Sequence, residues 1–357
     1  MNRPPVLEVQ HLFKYFPVKQ SILRRADTFV KAVDDVSFTL ARGEVLAIVG
    51  ESGCGKTTIA RTLIGLEEQT NGEIRFHGEV VGTRERRTRA GLASLESGAA
   101  VGTREHLALP HIALKRLRQQ AQMIFQDPYE SLNPRSTIFE IVAEPLVVHG
   151  LARARGERLA RVRNALNEAG LRPAEDFYLR YPHELSGGQR QRVVIAAAMV
   201  LEPELLLADE PVSMLDVSIR AEILNLLNGL RKERGVSIVF ITHDLSTVAY
   251  FADRIAVMYL GRIVESGLTG EVLKSPQHPY TRALLSVVPV PNPRLRRERI
   301  ILQGETPNAA QVPTGCRFHP RCPIAMEECR LTDPPDVRVS NTHQAACLKV
   351  AAREVAT

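Results

Sequence analysis

Apolar residues recur along the chain in two patterns, as short runs and at the spacing of a helix face. Short runs in which apolar residues dominate, at 44–49, 205–208 and 236–242, predict buried strands. Residues 217–234, between the last two runs, and residues 245–251, after the last run, carry apolar side chains at the spacing of an amphipathic helix. Strand and helix therefore alternate, and this alternation predicts an α/β fold with a mostly parallel sheet and helices on both faces.

Further elements surround this alternating part. Residues 6–10 alternate like a strand, 29–40 predict two strands joined by a turn, and 72–78 predict an edge strand closed by a glycine turn. The remaining predicted strands are 122–126, 254–258 and 262–265, and the remaining predicted helices are 137–149, 155–169, 269–274 and 279–288.

Residues 79–118 differ from the rest of the first half. They are rich in Arg, Gly and Ala, and the five-residue sequence VGTRE occurs in them at 81–85 and again at 101–105. An identical repeat offset by twenty residues indicates a short tandem duplication. We interpret 79–118 as an inserted surface loop, partly disordered and without chemistry.

Composition places the chain among ordinary soluble proteins. Of 357 residues, 44% are hydrophobic and 24% charged, and a solvated surface explains the mild net charge of +6 better than a nucleic-acid footprint does. The longest apolar runs reach about half of a membrane span, and no signal-peptide core follows the first residues. We therefore expect a cytoplasmic protein that meets the membrane only through other proteins. From residue 289 onward Pro, Arg and Cys dominate, which marks a composition boundary.

The segment GESGCGKTT follows a predicted strand and precedes a helix, as in a phosphate-binding loop. Glycines let backbone N–H groups turn inward around phosphate oxygens, and the helix N-terminus adds its positive dipole end. Lys56 would reach the β- and γ-phosphates, and Thr57 would offer its hydroxyl to Mg²⁺. The residues assigned to phosphate binding are Gly50, Ser52, Gly53, Gly55, Lys56, Thr57 and Thr58.

A pair of carboxylates, Asp209 and Glu210, follows the apolar run 205–208. Ligand groups of an α/β sheet lie at the carboxyl ends of its strands. Asp209 is suited to hold Mg²⁺, and Glu210 to polarise the water that attacks the γ-phosphate.

A third motif, Leu185 followed by Ser186, Gly187, Gly188 and Gln189, precedes a predicted helix. A hydroxyl and two glycines at a helix start can bind phosphate. With this motif in place, the chain resembles the ATP-binding subunits of ABC transporters over roughly residues 5–350. In that family the motif is the signature that contacts the ATP bound to the opposite subunit of a dimer.

The resemblance assigns roles to four further positions. Tyr15 matches the aromatic residue that stacks on adenine, with Phe16 as the alternative. Gln126 matches the glutamine that contacts Mg²⁺ and the attacking water. Asp216 ends the loop 213–216 that crosses the dimer interface in the family, and His243 matches the switch histidine that contacts the γ-phosphate.

Two C-terminal stretches, 274–285 and 315–323, resemble the oligopeptide/dipeptide importer branch. Four of the five cysteines lie in this region, with five, six and seventeen residues between successive members: Cys316, Cys322, Cys329 and Cys347. Four cysteines in a cytosolic segment favour metal ligation over disulfides, and the spacing lacks the CxxC pairs typical of structural zinc. A [4Fe–4S] cluster is therefore expected. Zinc and free or redox-active thiols remain alternatives.

The resemblance also implies a domain architecture and a set of partners. The fold would combine a P-loop NTPase core with an antiparallel β subdomain and a helical subdomain at about 127–200, within an ABC ATPase domain at 1–288. Residues 289–357 would form the C-terminal extension. Expected partners are a second, similar ATPase subunit in a heterodimer, two transmembrane permease subunits contacted through residues 126–138, and an extracytoplasmic solute-binding protein.

The expected activity is ATP hydrolysis that drives peptide import from the cytoplasmic face of the inner membrane. Glutathione, nickel complexes and oligosaccharides are alternative solutes of the same branch. A second class of function is a soluble ABC ATPase of translation or DNA repair, but such proteins usually carry two ATPase cassettes in one chain. No nucleic-acid partner is expected.

Overall fold

The structure is a computed structural model that describes residues 5–18, 28–84, 111–288 and 298–354. Within these ranges the strands form one sheet of eight strands and one of four. Across the central sheet the strands follow the order β11 (Asp336–Arg338), β12 (Gln344–Ala346), β10 (Arg262–Leu268), β9 (Arg254–Tyr259), β3 (Val45–Val49), β8 (Ser237–Thr242), β7 (Leu205–Asp209) and β6 (Ala121–Ile124). Across the smaller sheet the order is β2 (Thr28–Leu40), β1 (Leu7–Val18), β4 (Asn71–Phe76) and β5 (Glu79–Arg84). Among the described residues, no helix is long and apolar enough to cross a membrane.

Five parallel strands form the middle and one edge of the central sheet. They are β3 (Val45–Val49), β6 (Ala121–Ile124), β7 (Leu205–Asp209), β8 (Ser237–Thr242) and β9 (Arg254–Tyr259). Strands β3, β7 and β8 are buried along their whole length, which explains their nearly continuous apolar sequences. The predicted parallel sheet is confirmed.

Helices cover both faces of this sheet. Helix α1 (Lys56–Leu63) follows β3, α2 (His111–Gln120) precedes β6, α7 (Val217–Arg234) follows β7, and α8 (Leu245–Phe251) follows β8. One hydrophobic core lies between the sheet, α7 and the helices inserted between β6 and β7. A second core lies between the opposite face, α1 and the smaller sheet.

The inserted helices lie between residues 128 and 199. They are α3 (Pro128–Ser131), α4 (Ile138–His149), α5 (Arg155–Glu168) and α6 (Gly187–Met199). Helix α4 begins with a capping box between Thr137 and Glu140. These helices are consistent with the helical subdomain predicted at about 127–200.

The smaller sheet is antiparallel and consists of β1 (Leu7–Val18), β2 (Thr28–Leu40), β4 (Asn71–Phe76) and β5 (Glu79–Arg84). The prediction of two strands and a turn within 29–40 is wrong, because β2 runs through this stretch and pairs with β1 throughout. The Asp35 backbone is left-handed, with a φ of 65°, and the pairing contains register shifts. These irregularities explain the sequence signal of a turn.

The ends of the predicted insertion 79–118 are also corrected. Its first residues form β5, which pairs with β4, and its last residues belong to α2. The stretch 85–110, with the second VGTRE copy, lies outside the described residues.

The last elements continue the central sheet. Strand β10 (Arg262–Leu268) turns back antiparallel on β9 and leads to α9 (Thr269–Lys274) and α10 (Pro279–Ser286). From the C-terminal extension, β12 (Gln344–Ala346) pairs with β10, β11 (Asp336–Arg338) pairs with β12, and α11 (Leu348–Glu354) follows. The composition boundary at residue 289 is therefore not a boundary of the sheet.

Candidate active site

The phosphate loop needs glycine because other backbone atoms approach it closely. A Cβ atom on Gly50 would lie 2.2 Å from the carbonyl oxygen of Met258. One on Gly55, whose φ is +108°, would lie 2.0 Å from the carbonyl oxygen of Ala32. Any side chain at either position would force the loop away from β2 or β9.

The loop delivers Lys56 to the start of α1. The Lys56 ammonium donates hydrogen bonds to the carbonyl oxygens of Gly50 and Glu51, each at 2.9 Å, and the side chain is 5% exposed. Helix α1 has Gly55 as N-cap and no side-chain cap, so its first N–H groups are free to bind an anion. Ser52 and Gly53 are exposed and Thr58 is half-buried at the same end.

Asp209 ends β7 beside this loop. Its side chain is buried and hydrogen-bonds to Thr57, but Oδ1 has no hydrogen-bond partner among the described residues. Burial raises the pKa of Asp209, the bond from Thr57 opposes this rise, and the neighbouring Glu210 carboxylate adds to it. A buried carboxylate oxygen without a donor, next to a hydroxyl, fits a divalent cation.

Glu210 lies at the centre of the predicted catalytic residues. Its Oε2 accepts a hydrogen bond from Gln126 Nε2 at 3.2 Å, and its Oε1 lies 3.0 Å from His243 Nδ1. Glu210 has a φ of 47°, and its N–H donates to the carbonyl of Ile241 on β8. The structure thus brings together three residues that are up to 117 positions apart, from the ends of β6, β7 and β8.

The signature residues form the start of α6. Ser186 is the N-cap and accepts a bond from the Gln189 N–H at 3.3 Å, while the Gln189 side chain accepts from the Ser186 N–H at 3.0 Å. Gly187 lies in the first turn, and a Cβ on Gly188 would lie 2.7 Å from Ile219 of α7. Asp216 is exposed at the N-cap of α7 and makes no side-chain cap. Contact of these residues with a nucleotide on an opposite subunit remains a prediction.

Tyr15 belongs to a polar cluster that sequence reasoning missed. Its hydroxyl donates to Asp34, and Arg317 of the C-terminal extension forms a buried ion pair with the same carboxylate. Burial and the bond to Asp34 raise the pKa of Tyr15. Burial alone would raise the pKa of Asp34, but Arg317 and Tyr15 lower it. Stacking of Tyr15, or of the neighbouring Phe16, on adenine stays a prediction.

The four cysteines of the extension lie near one another. Burial, together with the charges of the other three thiols, raises the pKa of Cys316 to about 11 against the opposing effect of a backbone hydrogen bond. All four thiols are free, and the fifth cysteine, Cys54, is buried in the phosphate loop. Yet no three His, Cys, Asp or Glu side chains in the described part of the chain are grouped so that they could hold a metal ion. The geometry therefore gives no support for zinc or an iron–sulfur cluster.

Two family models match the chain. The model described as "ABC transporter" matches residues 33–213, and the model described as "Oligopeptide/dipeptide transporter, C-terminal region" matches residues 264–329. The first match contains the phosphate loop, Gln126, the signature and Glu210, and the second contains three of the four clustered cysteines.

Similar proteins match over nearly the whole chain. The oligopeptide transport ATP-binding protein AppF of Bacillus subtilis is 45% identical over 97% of this chain and 98% of its own length. The dipeptide transport ATP-binding protein DppF of Haemophilus influenzae is 46% identical over 92% of each chain.

Solved structures with the same fold include cbiO1 of Clostridium perfringens, part of the ABC transporter complex cbiONQ. It has a TM-score of 0.59 and 27% identity, covering 76% of this chain and 91% of that one. The ATP-binding cassette MJ0796, in a dimer bound to ADP and Pi, has a TM-score of 0.59 and 26% identity, covering 74% and 98%. The predicted ABC ATPase fold is confirmed, and this chain belongs to the ABC transporter family, in the branch of the oligopeptide and dipeptide transport ATP-binding proteins.

Proposed function

We propose that this chain hydrolyses ATP at the cytoplasmic face of a membrane to drive the import of peptides. The observation that carries this proposal is the convergence of Gln126 and His243 on the Glu210 carboxylate, beside the phosphate loop. The similar proteins AppF and DppF, named for oligopeptide and dipeptide transport, support peptides as the solute class.

The residues divide the hydrolytic step between them. Lys56 and the free N–H groups of α1 bind the phosphates. Glu210 accepts a proton from the water that attacks the γ-phosphorus, and the bond to the β-phosphate oxygen breaks to give ADP and inorganic phosphate. Gln126 and His243 hold the Glu210 carboxylate. As the family resemblance implies, Gln126 would also contact the attacking water and His243 the γ-phosphate.

The magnesium ion of such a site would be held by Thr57, Asp209 and Gln126. Asp209 Oδ1, which has no hydrogen-bond partner in the described part of the chain, and the hydrogen bond between the Asp209 carboxylate and Thr57 fit this ion. Mg²⁺ supplies charge neutralisation at the β- and γ-phosphates.

The assembly we propose contains two ATPase subunits, two permease subunits and a solute-binding protein. Ser186, Gly187, Gly188, Gln189 and Asp216 would contact the ATP of the second subunit, a similar chain in a heterodimer. The exposed Tyr129 offers an aromatic side chain for the permease within residues 126–138, and the exposed Phe125 lies directly before this segment. Closure on two ATP molecules would then switch the permease between its two orientations.

The experiment is a pull-down of the tagged Glu210→Gln variant from native membranes in mild detergent, with and without Mg²⁺ and ATP. We expect bound ATP, no phosphate release, and ATP-dependent recovery of a second ATPase subunit with two multi-span proteins. The wild-type chain is the control and should release phosphate. Phosphate release at the wild-type rate by the variant would contradict the role of Glu210. Recovery of ribosomal or DNA-repair proteins without membrane partners would contradict the importer.

We further propose that Cys316, Cys322, Cys329 and Cys347 bind a [4Fe–4S] cluster, with zinc or free thiols as the alternatives. Burial and, after it, the charges of the nearby Cys329 and Cys347 raise the pKa values of Cys316 and Cys322. Ligands of a four-iron cluster lie farther apart than those of a single ion, so a cluster is compatible with thiols that form no single-ion site.

Anaerobic purification should therefore yield iron and sulfide with broad absorbance at about 400 nm. Replacement of Cys322 by Ser should remove most of both, whereas Cys54→Ser, outside the cluster, should leave them unchanged. A colourless protein with zinc, or with no metal, would contradict the cluster.

A further inference from the structure

The phosphate loop is tied to the C-terminal extension through Glu51, the residue after Gly50. Arg321 donates to both carboxylate oxygens of Glu51, from Nη1 at 2.8 Å and from Nη2 at 3.2 Å. The Thr306 hydroxyl donates to the same carboxylate at 2.5 Å, and Arg321 Nη1 also reaches Thr306 Oγ1 at 3.2 Å. The Arg321 side chain is 10% exposed and that of Glu51 27%, so solvent screens this pair only in part.

The backbone of Glu51 is held as well. Its N–H donates to the hydroxyl of Tyr280 at 2.9 Å, and Tyr280 is fully buried on α10. Its carbonyl oxygen accepts one of the two hydrogen bonds that Lys56 donates to carbonyl oxygens. Glu51 therefore contacts the extension through its carboxylate and Lys56 through its carbonyl oxygen.

The segment that supplies Arg321 is itself rigidly anchored. Between Cys316 and Cys322, Arg317 pairs with Asp34 and donates to the carbonyl of Leu260. Phe318 is 1% exposed and packs edge-on against Tyr259, with ring centroids 5.2 Å apart, and against Tyr280 at 5.4 Å. These contacts fix Arg321 relative to the sheet strand and helix that border the phosphate loop.

Backbone hydrogen bonds form a second connection between the phosphate loop and the extension. The Gly261 N–H donates to the carbonyl of Cys54 in the phosphate loop, and the Asp34 N–H donates to the carbonyl of Gly261, each at 2.9 Å. Because Arg317 holds the Asp34 side chain, the same extension segment supports the loop at two points, Glu51 and Cys54.

We propose that Glu51 and Arg321 are a positioning pair through which the Cys316–Cys322 segment sets the geometry of the phosphate loop for ATP. Neither residue contacts the reacting atoms. Lys56 has to exchange the carbonyl oxygens of Gly50 and Glu51 for phosphate oxygens when ATP binds, and a fixed Glu51 keeps the loop open in the required shape during that exchange. The pair therefore acts on ATP affinity, while the Glu210, Gln126 and His243 constellation acts on turnover.

The first test is a double-mutant cycle on the full-length chain, with Glu51→Gln, Arg321→Gln and the double variant. Each single change should weaken ATP binding about three- to tenfold, with kcat within about twofold of wild type. The double variant should be no weaker than the poorer single variant, because both changes remove one interaction. Arg321→Lys, which keeps the charge but loses the two-point contact, should recover part of the affinity.

Arg330→Gln is the matched control. Arg330 lies in the same extension beside Cys329, but its side chain is 65% exposed. Its Nη1 lies 3.9 Å from Glu327 Oε2, which is too far for a hydrogen bond. It should bind ATP like the wild type. Additive losses in the cycle, or an equal loss in Arg330→Gln, would overturn the positioning pair.

Hydrogen exchange gives a readout that does not depend on activity. By thermodynamic reciprocity, ATP binding should slow amide exchange in residues 306–322 of the wild-type chain. The Arg321→Gln variant, compared at saturating ATP, should lose this protection while α1 keeps its own. Unchanged protection in Arg321→Gln would show that the contact is structural packing alone, and would contradict the proposal.

Discussion

At the scale of single residues, two buried carboxylates show how differently this chain uses the same group. Asp209 Oδ1 has no hydrogen-bond partner within the described residues, which suits it to bind a cation. Glu265 is 1% exposed and accepts three bonds, from the N–H groups of Gln277 and His278 and from His343 Nε2. The first carboxylate is left for a ligand, and the second joins β10, the start of α10 and the extension.

His278, beside Glu265, makes stability depend on pH. The residue is 1% exposed, and burial lowers its pKa to about 4 although the Glu265 charge opposes the shift. Its Nδ1 accepts a bond from the Tyr280 N–H at 3.1 Å, so the neutral ring is the form that caps α10. The pKa of histidine in an unfolded chain is about 6.5. Below that pH the unfolded chain gains a proton that the folded chain does not accept until about pH 4.

His278 therefore contributes no pH dependence above about pH 6.5 and lowers stability as the pH falls from there towards 4. Between pH 7.5 and 5.0 we expect this residue to account for about 2 kcal/mol of lost free energy of unfolding. His278→Asn can still cap the helix but does not titrate, so its urea-unfolding free energy should fall less over this range. The exposed His183→Asn variant should follow the wild type. Parallel pH profiles for wild type and His278→Asn would contradict this assignment.

At the scale of elements, three adjacent strands explain why the sequence could indicate that the proposed catalytic residues lie together. β6, β7 and β8 are neighbours in the sheet, and Gln126, Glu210 and His243 follow their carboxyl ends by one or two residues. Parallel strands bring such ends to one edge, and each strand is marked by its apolar sequence. The position of each residue directly after an apolar strand was therefore enough to indicate that Gln126, Glu210 and His243 lie at the same edge of the sheet.

The contribution of the extension to the sheet could not be predicted in this way. Strands β11 and β12 have three residues each, with the sequences DVR and QAA, and show no hydrophobic pattern long enough to mark a strand. The contact between Glu51 and Arg321 joins residues 270 positions apart. Local propensity carries no information about such pairings, which depend on tertiary packing.

At the scale of the whole molecule, the extension is built into the ATPase core. It adds two strands to the central sheet, pairs Arg317 with Asp34 on β2, and places Phe318 among the buried rings of Tyr259 and Tyr280. Phe318 belongs to the same continuous core as the parallel strands and α7. Contacts of this kind predict one cooperative unfolding transition for the core and the extension together.

Phe318→Ala tests this cooperativity. Truncation leaves a cavity beside Tyr259 and Tyr280, and should lower the free energy of unfolding of the entire chain by about 3–5 kcal/mol, as in the centre of a domain. Leu331→Ala is the control in the same extension, because Leu331 is 85% exposed and its loss should cost no more than about 0.5 kcal/mol. Urea unfolding followed by circular dichroism and by tyrosine fluorescence should give coincident curves for each protein. Two separate transitions, with Phe318→Ala shifting only the smaller one, would mean that the extension folds independently. The phosphate loop would then be supported by a unit that can open without unfolding of the core.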